Sequence, residues 1–387
     1  MKKILAMLLA LVMVLVMVLG LAACGAPAAE APAASEAAYK VAMVTDYGDI
    51  TDQSFNQTTY EACKAYAEAK IVEFTYYKPA GDSDAERVAM SEKAVDEGYN
   101  VIVLPGFAFA AAIATAAPQY PDVKFIALDV SEFDLTSAGL TAETMTNVYS
   151  AVYQEELSGY MAGYAAVKLG YTKLGFLGGM AVPAVQKFGY GFVQGADAAA
   201  KELNTTVDMN YIYGGLFYGT ADITAVMDTW YQGGTQVVFA CGGGIYTSAV
   251  DAAKKVEGAK VIGVDVDQAG VIANYAGDAD TSLTVTSAMK GLYPTTVDTL
   301  TDVINNGNWA KYAGKVATLG LVSGDDPTAN YVQIPMESTQ WSDSFTQDDY
   351  KAMVKAMFDG TIVVSGDVSA EPAVTNVNVD YQGQIVG

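Results

Sequence analysis

The sequence predicts an α/β fold of two similar lobes, each a doubly wound, mainly parallel sheet, with a ligand cleft between them. Three observations lead there. From Tyr39 onward, apolar runs of strand length alternate with helix-length amphipathic patterns, as repeated βαβ units do. The runs are near-continuously apolar, which suits parallel strands covered on both faces. The series restarts near residue 146 with no Pro/Gly-rich linker, so the two halves are expected to be joined by strand crossovers.

The elements follow in order. Residues 40–46 (KVAMVTD) read as a strand and 54–69 as a helix. Next come the strand 71–77 (IVEFTYY) and a helix over 83–98, apolar at Ala85, Val88, Ala89 and Val95. The strand 101–106 (VIVLPG), a helix near 107–117 and the strand 123–130 (VKFIALDV) end the first series. The second opens with 146–153 (TNVYSAVY), helix 155–168, strand 173–179 (KLGFLGG) and a helix over 183–203. It continues with strand 207–215, helix 219–231, strand 237–244 (VVFACGGG), helix 246–256 and strand 260–267 (KVIGVDVD). Then come strand 282–287, helix 290–306, strand 316–322, helix 347–358 and a short strand 361–366 (TIVVSG). The expected division is an N-terminal lobe over 39–147 with return segments about 285–387, and a C-terminal lobe over 148–284.

Composition narrows the chemistry. The 387 residues are 52% hydrophobic and 17% charged, enough for the cores of two lobes. A net charge of −23 repels nucleic acid and anionic headgroups, so no nucleic-acid partner is expected. The chain has no histidine, which removes His-based acid–base catalysis, Ser-His-Asp triads and most zinc-enzyme ligand sets. No cofactor or metal is expected.

The N-terminus reads as a targeting device. Lys2 and Lys3 precede an apolar stretch over 4–20, which ends in Leu21-Ala22-Ala23-Cys24. This arrangement resembles the bacterial lipobox. It implies a signal peptide over 1–23, cleavage before Cys24 and a lipid on its sulfur; an uncleaved membrane anchor is the plain alternative. Residues 24–38, rich in Ala, Pro, Glu and Ser, read as a flexible tether. The rest of the chain then faces outward. Cys63 and Cys241 are expected as buried small hydrophobes, with a disulfide as the alternative.

In open α/β sheets, ligands bind outside the carboxyl ends of the strands. After the first strand stands DYGDITDQSFNQ (46–57). Ser54 and Gln57 have capping-box spacing, and Asp49 and Asp52 suit a turn and a helix N-terminus. Phe55 and Asn56, at the first helical positions, gain nothing from that role and are expected to face the cleft, with Asp46 beside them. Asp129 ends an otherwise apolar strand; a helix cap is its bland reading. Gly242, Gly243 and Gly244 let the backbone come close to something. Asp265 and Asp267 end another strand, as a hydrogen-bonding pair rather than a metal site. Lys290 opens the expected helix 290–306, where a solvated lysine is the bland reading.

Phosphate-loop and nucleophile-elbow motifs are absent, and Gly189, Gly191 and Gly195 fall mid-helix at the wrong spacing for a dinucleotide fingerprint. What remains is a cleft of carboxylates, amides, aromatics and glycine backbone. Charge-assisted hydrogen bonds are worth about 1.5–3 kcal/mol each. An aromatic stacked on a base is worth roughly 1–3 kcal/mol. The set suits a neutral, donor-rich ligand such as a sugar or a nucleoside.

DQSFNQ (52–57), KFIALD (124–129), LGGM (177–180), GYGFVQGAD (189–197), GGG (242–244) and VIGVDVDQ (261–268) together resemble the basic membrane protein family. This family comprises lipoproteins that include the purine nucleoside receptors of bacterial ABC importers, and the resemblance spans the mature chain. It implies a two-lobed, type I periplasmic-binding-protein fold and a purine nucleoside held between the lobes. It implies that Phe55 stacks on the base while Asn56 and Asp129 bond its edge. Asp265, Lys290 and a glycine amide of 242–244 would hold the ribose, with Asp46 on the same wall. A second stacking aromatic is implied, for which Phe217, Phe239 and Tyr246 qualify. The implied role is that of a monomeric, non-catalytic receptor, lipid-anchored at the outer face of the cell membrane and serving an ABC permease. A receptor for a sugar or other small signal, and a surface enzyme acting on nucleosides, are the alternatives.

Overall fold

The computed structural model describes residues 39–141, 143–278 and 281–386. The expected signal peptide, tether and lipidated Cys24 lie outside them. Thirteen strands are named here in chain order: β1 (Lys40–Val44), β2 (Glu73–Tyr77), β3 (Val101–Pro105), β4 (Lys124–Leu128), β5 (Val148–Tyr153), β6 (Lys173–Gly178), β7 (Val207–Tyr213), β8 (Val237–Cys241), β9 (Lys260–Asp265), β10 (Thr284–Lys290), β11 (Lys315–Leu319), β12 (Val332–Gln333) and β13 (Val377–Gln384). They form two sheets, ordered β11-β5-β4-β3-β1-β2 and β12-β10-β9-β8-β6-β7-β13. Every pairing is parallel except β10 with β12.

The apolar runs form these strands because helices cover both faces. Val41–Val44 and Val101–Leu104 are fully buried, as are Val237–Phe239. One apolar cluster covers a face of the first sheet, a second covers a face of the other, and a third runs through both sheets and the crossover between them. This is the expected two-lobed α/β class.

Strand membership departs from the expected division of the lobes. β5 belongs to the first sheet, although residue 148 was expected to begin the second lobe. Of the return segments, β11 joins the first sheet and the helix Leu292–Leu300 packs on the helix Phe55–Lys70. β10, β12 and β13 join the second sheet. The reason is the crossover pattern. The chain leaves the first sheet after β5, returns after β10 and leaves again after β11. The crossing segments bond one another: Gln154 N–H donates to Leu319 O (2.9 Å), Gly291 N–H to Tyr331 O (2.7 Å) and Tyr331 N–H to Gly320 O (3.0 Å).

Two tail expectations change. The stretch 361–366 forms no strand; Ser365 is instead bonded through its backbone to the Gln194 side chain, N–H to Oε1 at 2.9 Å and O from Nε2 at 2.9 Å. The true last strand, β13, reads VNVDYQGQ. As an edge strand it exposes most of its side chains, so it lacks a buried-strand pattern.

The helical glycines serve packing. A Cβ on Gly191 would meet Glu156 O at 2.1 Å, and one on Gly195 would meet Tyr160 O at 2.0 Å. They let the helices Glu155–Lys168 and Pro183–Glu202 cross at backbone contact.

Candidate functional site

A cavity of about 360 Å³ lies at the carboxyl ends of both sheets, within the usual size of small-molecule sites. All nine residues expected at a ligand site line it: Asp46, Phe55, Asn56, Asp129, Phe217, Gly242, Gly243, Asp265 and Lys290. The cavity walls also include Tyr47, Phe107 and Glu155, which sequence reasoning missed.

The first wall is built by the loop after β1. The expected capping box does not form. Ser54 is the N-cap residue but makes no side-chain cap bond. Asp52 does the work: its Oδ1 accepts from the Ser54 and Gln57 amides (2.9 and 3.1 Å), and its Oδ2 from the Asn56 amide (2.9 Å). Two sequential amides point the same way at a helix start, and a carboxylate satisfies more of them than a hydroxyl does. Ser54 Oγ is thereby released to donate to Asp265 Oδ2 in the other lobe at 2.6 Å. Gln268 adds a second tie, its Nε2 donating to Gln53 O at 3.2 Å.

Asn56 is 3% exposed. Its Nδ2 donates to Asp46 Oδ1 (2.9 Å) and Asp52 Oδ2 (3.1 Å), so its donors orient those two carboxylates. Burial pushes Asp46 up to about 6, against the bonds from Gly48 and Asn56. Tyr47 stacks on Phe107 (centroids 5.7 Å, planes 21° apart) and stands 6.1 Å from Phe217 of the second lobe.

Of the three candidates for a second aromatic, only Phe217 lines the cavity. Phe239 is sealed in the core, and Tyr246 packs edge-on to Tyr275. The glycines explain how Phe217 fits. A Cβ on Gly179 would fall 2.5 Å from the ring and one on Gly242 3.0 Å from it. What the backbone at 242 approaches is therefore the Phe217 ring.

The floor is a charge cluster that joins the lobes. Lys290 is the last residue of β10 rather than the opening of a helix, and it is 5% exposed. Its ammonium bonds Asp129 Oδ2 and lies 3.7 Å from Asp265 Oδ1 and 3.8 Å from Glu155 Oε1. It also sits 4.7 Å over the Phe55 ring. Burial pulls its pKa down, but the surrounding Asp129, Asp265 and Glu155 outweigh that and hold it above the ordinary lysine value. Burial raises Asp265, with Lys290 and Ser54 opposing, and burial raises Glu155. Asp129 and Asp265 both adopt left-handed backbone (φ 59° and 66°), a conformation that aspartate tolerates better than most residues.

Asp267 does not join this group. It is exposed, and its Oδ1 accepts from the Ala269 amide at 3.1 Å in the turn just before the helix Ala269–Ala276. Cys63 and Cys241 are free and buried. Among the described residues, no group of acidic and cysteine side chains forms a metal site. Nor is any helix among them long and apolar enough to cross a membrane.

This architecture has clear relatives. A solute-binding protein of an ABC transporter system from Aeropyrum pernix K1 superposes with a TM-score of 0.65 over 85% of this chain and 88% of that one, at 21% identity. That likeness shows the type I periplasmic-binding-protein fold. The ABC transporter nucleoside-binding protein BmpA of Lactococcus lactis subsp. cremoris is 28% identical over 298 residues, 74% of this chain and 80% of the relative. An uncharacterised lipoprotein of Pyrococcus furiosus is 26% identical over 332 residues, 82% and 77% of the two chains. Residues 39–360 match the family model for PnrA-like ABC transporter substrate-binding proteins. The chain thus belongs to the Bmp, or basic membrane protein, family of ABC transporter substrate-binding proteins.

Proposed function

We propose that this protein is a lipid-anchored extracytoplasmic receptor that captures a purine nucleoside between its lobes and presents it to the permease of an ABC importer. The observation that carries the reading is the composition of one cavity. Tyr47, Phe107 and Phe217 supply flat apolar surface, while Asp129, Asp265 and Lys290 supply buried charge. A nucleoside has the matching halves, a flat base and a sugar rich in hydroxyls.

In this reading Phe217, with Phe55 and Tyr47, packs on the base. Asp46, with Asn56 beside it, meets its edge; Asp129, held by the Lys290 ammonium, faces the sugar instead of the base edge it was expected to bond. Asp265, Lys290 and the backbone at Gly242 and Gly243 take the ribose hydroxyls. No step of bond breaking is assigned to these groups; their work is capture and release. The Lactococcus lactis relative is described as nucleoside-binding, and the Pyrococcus furiosus relative as a lipoprotein, which agrees with a lipid on Cys24. Closure around a ligand that contacts both lobes is the change a permease can read.

Calorimetry with adenosine, inosine, guanosine and free ribose tests the reading. The expected result is saturable heat with at least one nucleoside and none with ribose at the same concentration. No nucleoside response at millimolar levels removes the proposal, and binding of ribose alone replaces it with a sugar receptor.

A further inference from the structure

Glu155 is the first residue of the helix Glu155–Lys168, immediately after the crossover from β5. It lines the cavity although only 1% of its surface is exposed. Its contacts are charges at a distance: Oε1 lies 3.8 Å from the Lys290 ammonium and Oε2 lies 3.6 Å from that of Lys187. Lys187 spends a hydrogen bond elsewhere, on Tyr153 O at 3.1 Å. Among the described residues, Glu155 Oε2 is buried with no hydrogen-bond partner, and so is Asp129 Oδ1.

Two acceptors in that condition are unusual, since a buried carboxylate oxygen is costly unless something donates to it. Both belong to groups held by the same ammonium, Asp129 through Oδ2 and Glu155 through Oε1. A neutral ligand with neighbouring hydroxyls supplies two donors at once, whereas an anionic group in the same place would present only acceptors and add negative charge beside two carboxylates. The next residue marks the contrast. Glu156 also buries an unpartnered oxygen, but it faces Gly366 and stands outside the cavity wall.

We propose that Glu155 is a further ligand-binding residue of this site, its Oε2 accepting a hydrogen bond from one ribose hydroxyl beside the one that Asp129 Oδ1 accepts. The assignment rests on the nucleoside reading above. It gives the crossover between the lobes a direct contact with the sugar, in addition to the strand-end residues of each sheet.

The test measures, by calorimetry, the tightest-binding nucleoside and its 2′-, 3′- and 5′-deoxy analogues. The proteins compared are the wild type, Glu155→Met, which keeps side-chain length without oxygens, and Glu155→Asp, which withdraws the carboxylate by one methylene. Wild type should lose at least tenfold in affinity when one particular hydroxyl is removed. Glu155→Met should bind the parent and that analogue within about twofold of each other, with the remaining deoxy penalties intact. Glu155→Asp should show a reduced penalty at the same hydroxyl, and it decides the matter if Glu155→Met does not fold. Deoxy penalties that persist unchanged in the folded variants overturn the assignment while leaving the nucleoside reading standing. A wild type that binds no nucleoside removes that reading and this assignment together.

Discussion

The two lobes share a strand order yet bring different chemistry to the cavity. The core order β5-β4-β3-β1-β2 is matched by β10-β9-β8-β6-β7. Equivalent positions repeat in conformation. Asp129 after β4 and Asp265 at the end of β9 are both left-handed, and Gly106 after β3 and Gly242 after β8 both have positive φ (124° and 151°). The side chains diverge where β5 and β10 end. The first lobe has Tyr153 there and the second has Lys290. The first lobe contributes Asp46, Asp129, Tyr47, Phe55 and Phe107; the second contributes Phe217, Asp265 and the ammonium. A repeated backbone thus fixes where groups sit, and a single substitution of residue type at matching strand ends decides their charge. Lys290 is the element of this asymmetry that ties the lobes together.

The sharpest way to break the comparison is Lys290→Met. It leaves Asp129, Asp265 and Glu155 buried without their shared cation, and stability should fall by about 3–5 kcal/mol in urea unfolding. A loss below about 1 kcal/mol would mean that the two lobes do not depend on one counterion. A second variant sharpens what the second lobe adds to binding. Phe217→Ala should weaken nucleoside affinity by about 1–3 kcal/mol with little change in melting temperature. Unchanged affinity would assign the aromatic face to the first lobe alone.

An effect of similar size to that of Phe217→Ala concerns the protonation of Asp46. Its folded value of about 6 lies above the usual carboxylate value. The native state therefore holds a proton that the unfolded chain has released between about pH 4 and 6. Stability falls as pH rises through that window and is level above it. Relative to Asp46→Asn, wild type should lose about 2 kcal/mol between pH 4 and 7, read from denaturant unfolding at each pH. Parallel curves for the two proteins would show that burial does not hold the proton on Asp46.

Local pattern made several site residues visible. Asp129 and Asp265 stood out as acids closing apolar runs, and Phe55 and Asn56 as side chains a helix start does not need. Glu155 was invisible for the opposite reason. An acid in the first turn of a helix is what the helix dipole favours, so nothing marked it as buried or as facing a cavity. The assignment of Ser54 as a cap failed because Asp52, two residues earlier, competes for the same amides and satisfies more of them. β13 escaped notice because an edge strand carries polar residues along its exposed side.

The sequence by itself determined the alternation of strands and helices, the absence of histidine chemistry, and the placing of Asp129 and Asp265 at the carboxyl ends of strands. These depend on neighbours a few positions apart, where periodicity and capping act. Tertiary structure alone decided the partners. Lys290 meets Asp129 across 161 residues, and Ser54 meets Asp265 across 211. Phe217 rather than Phe239 or Tyr246 reached the cavity because Gly179 and Gly242 leave room for its ring. Such pairings follow from how the chain crosses between sheets, and no local spacing records that path.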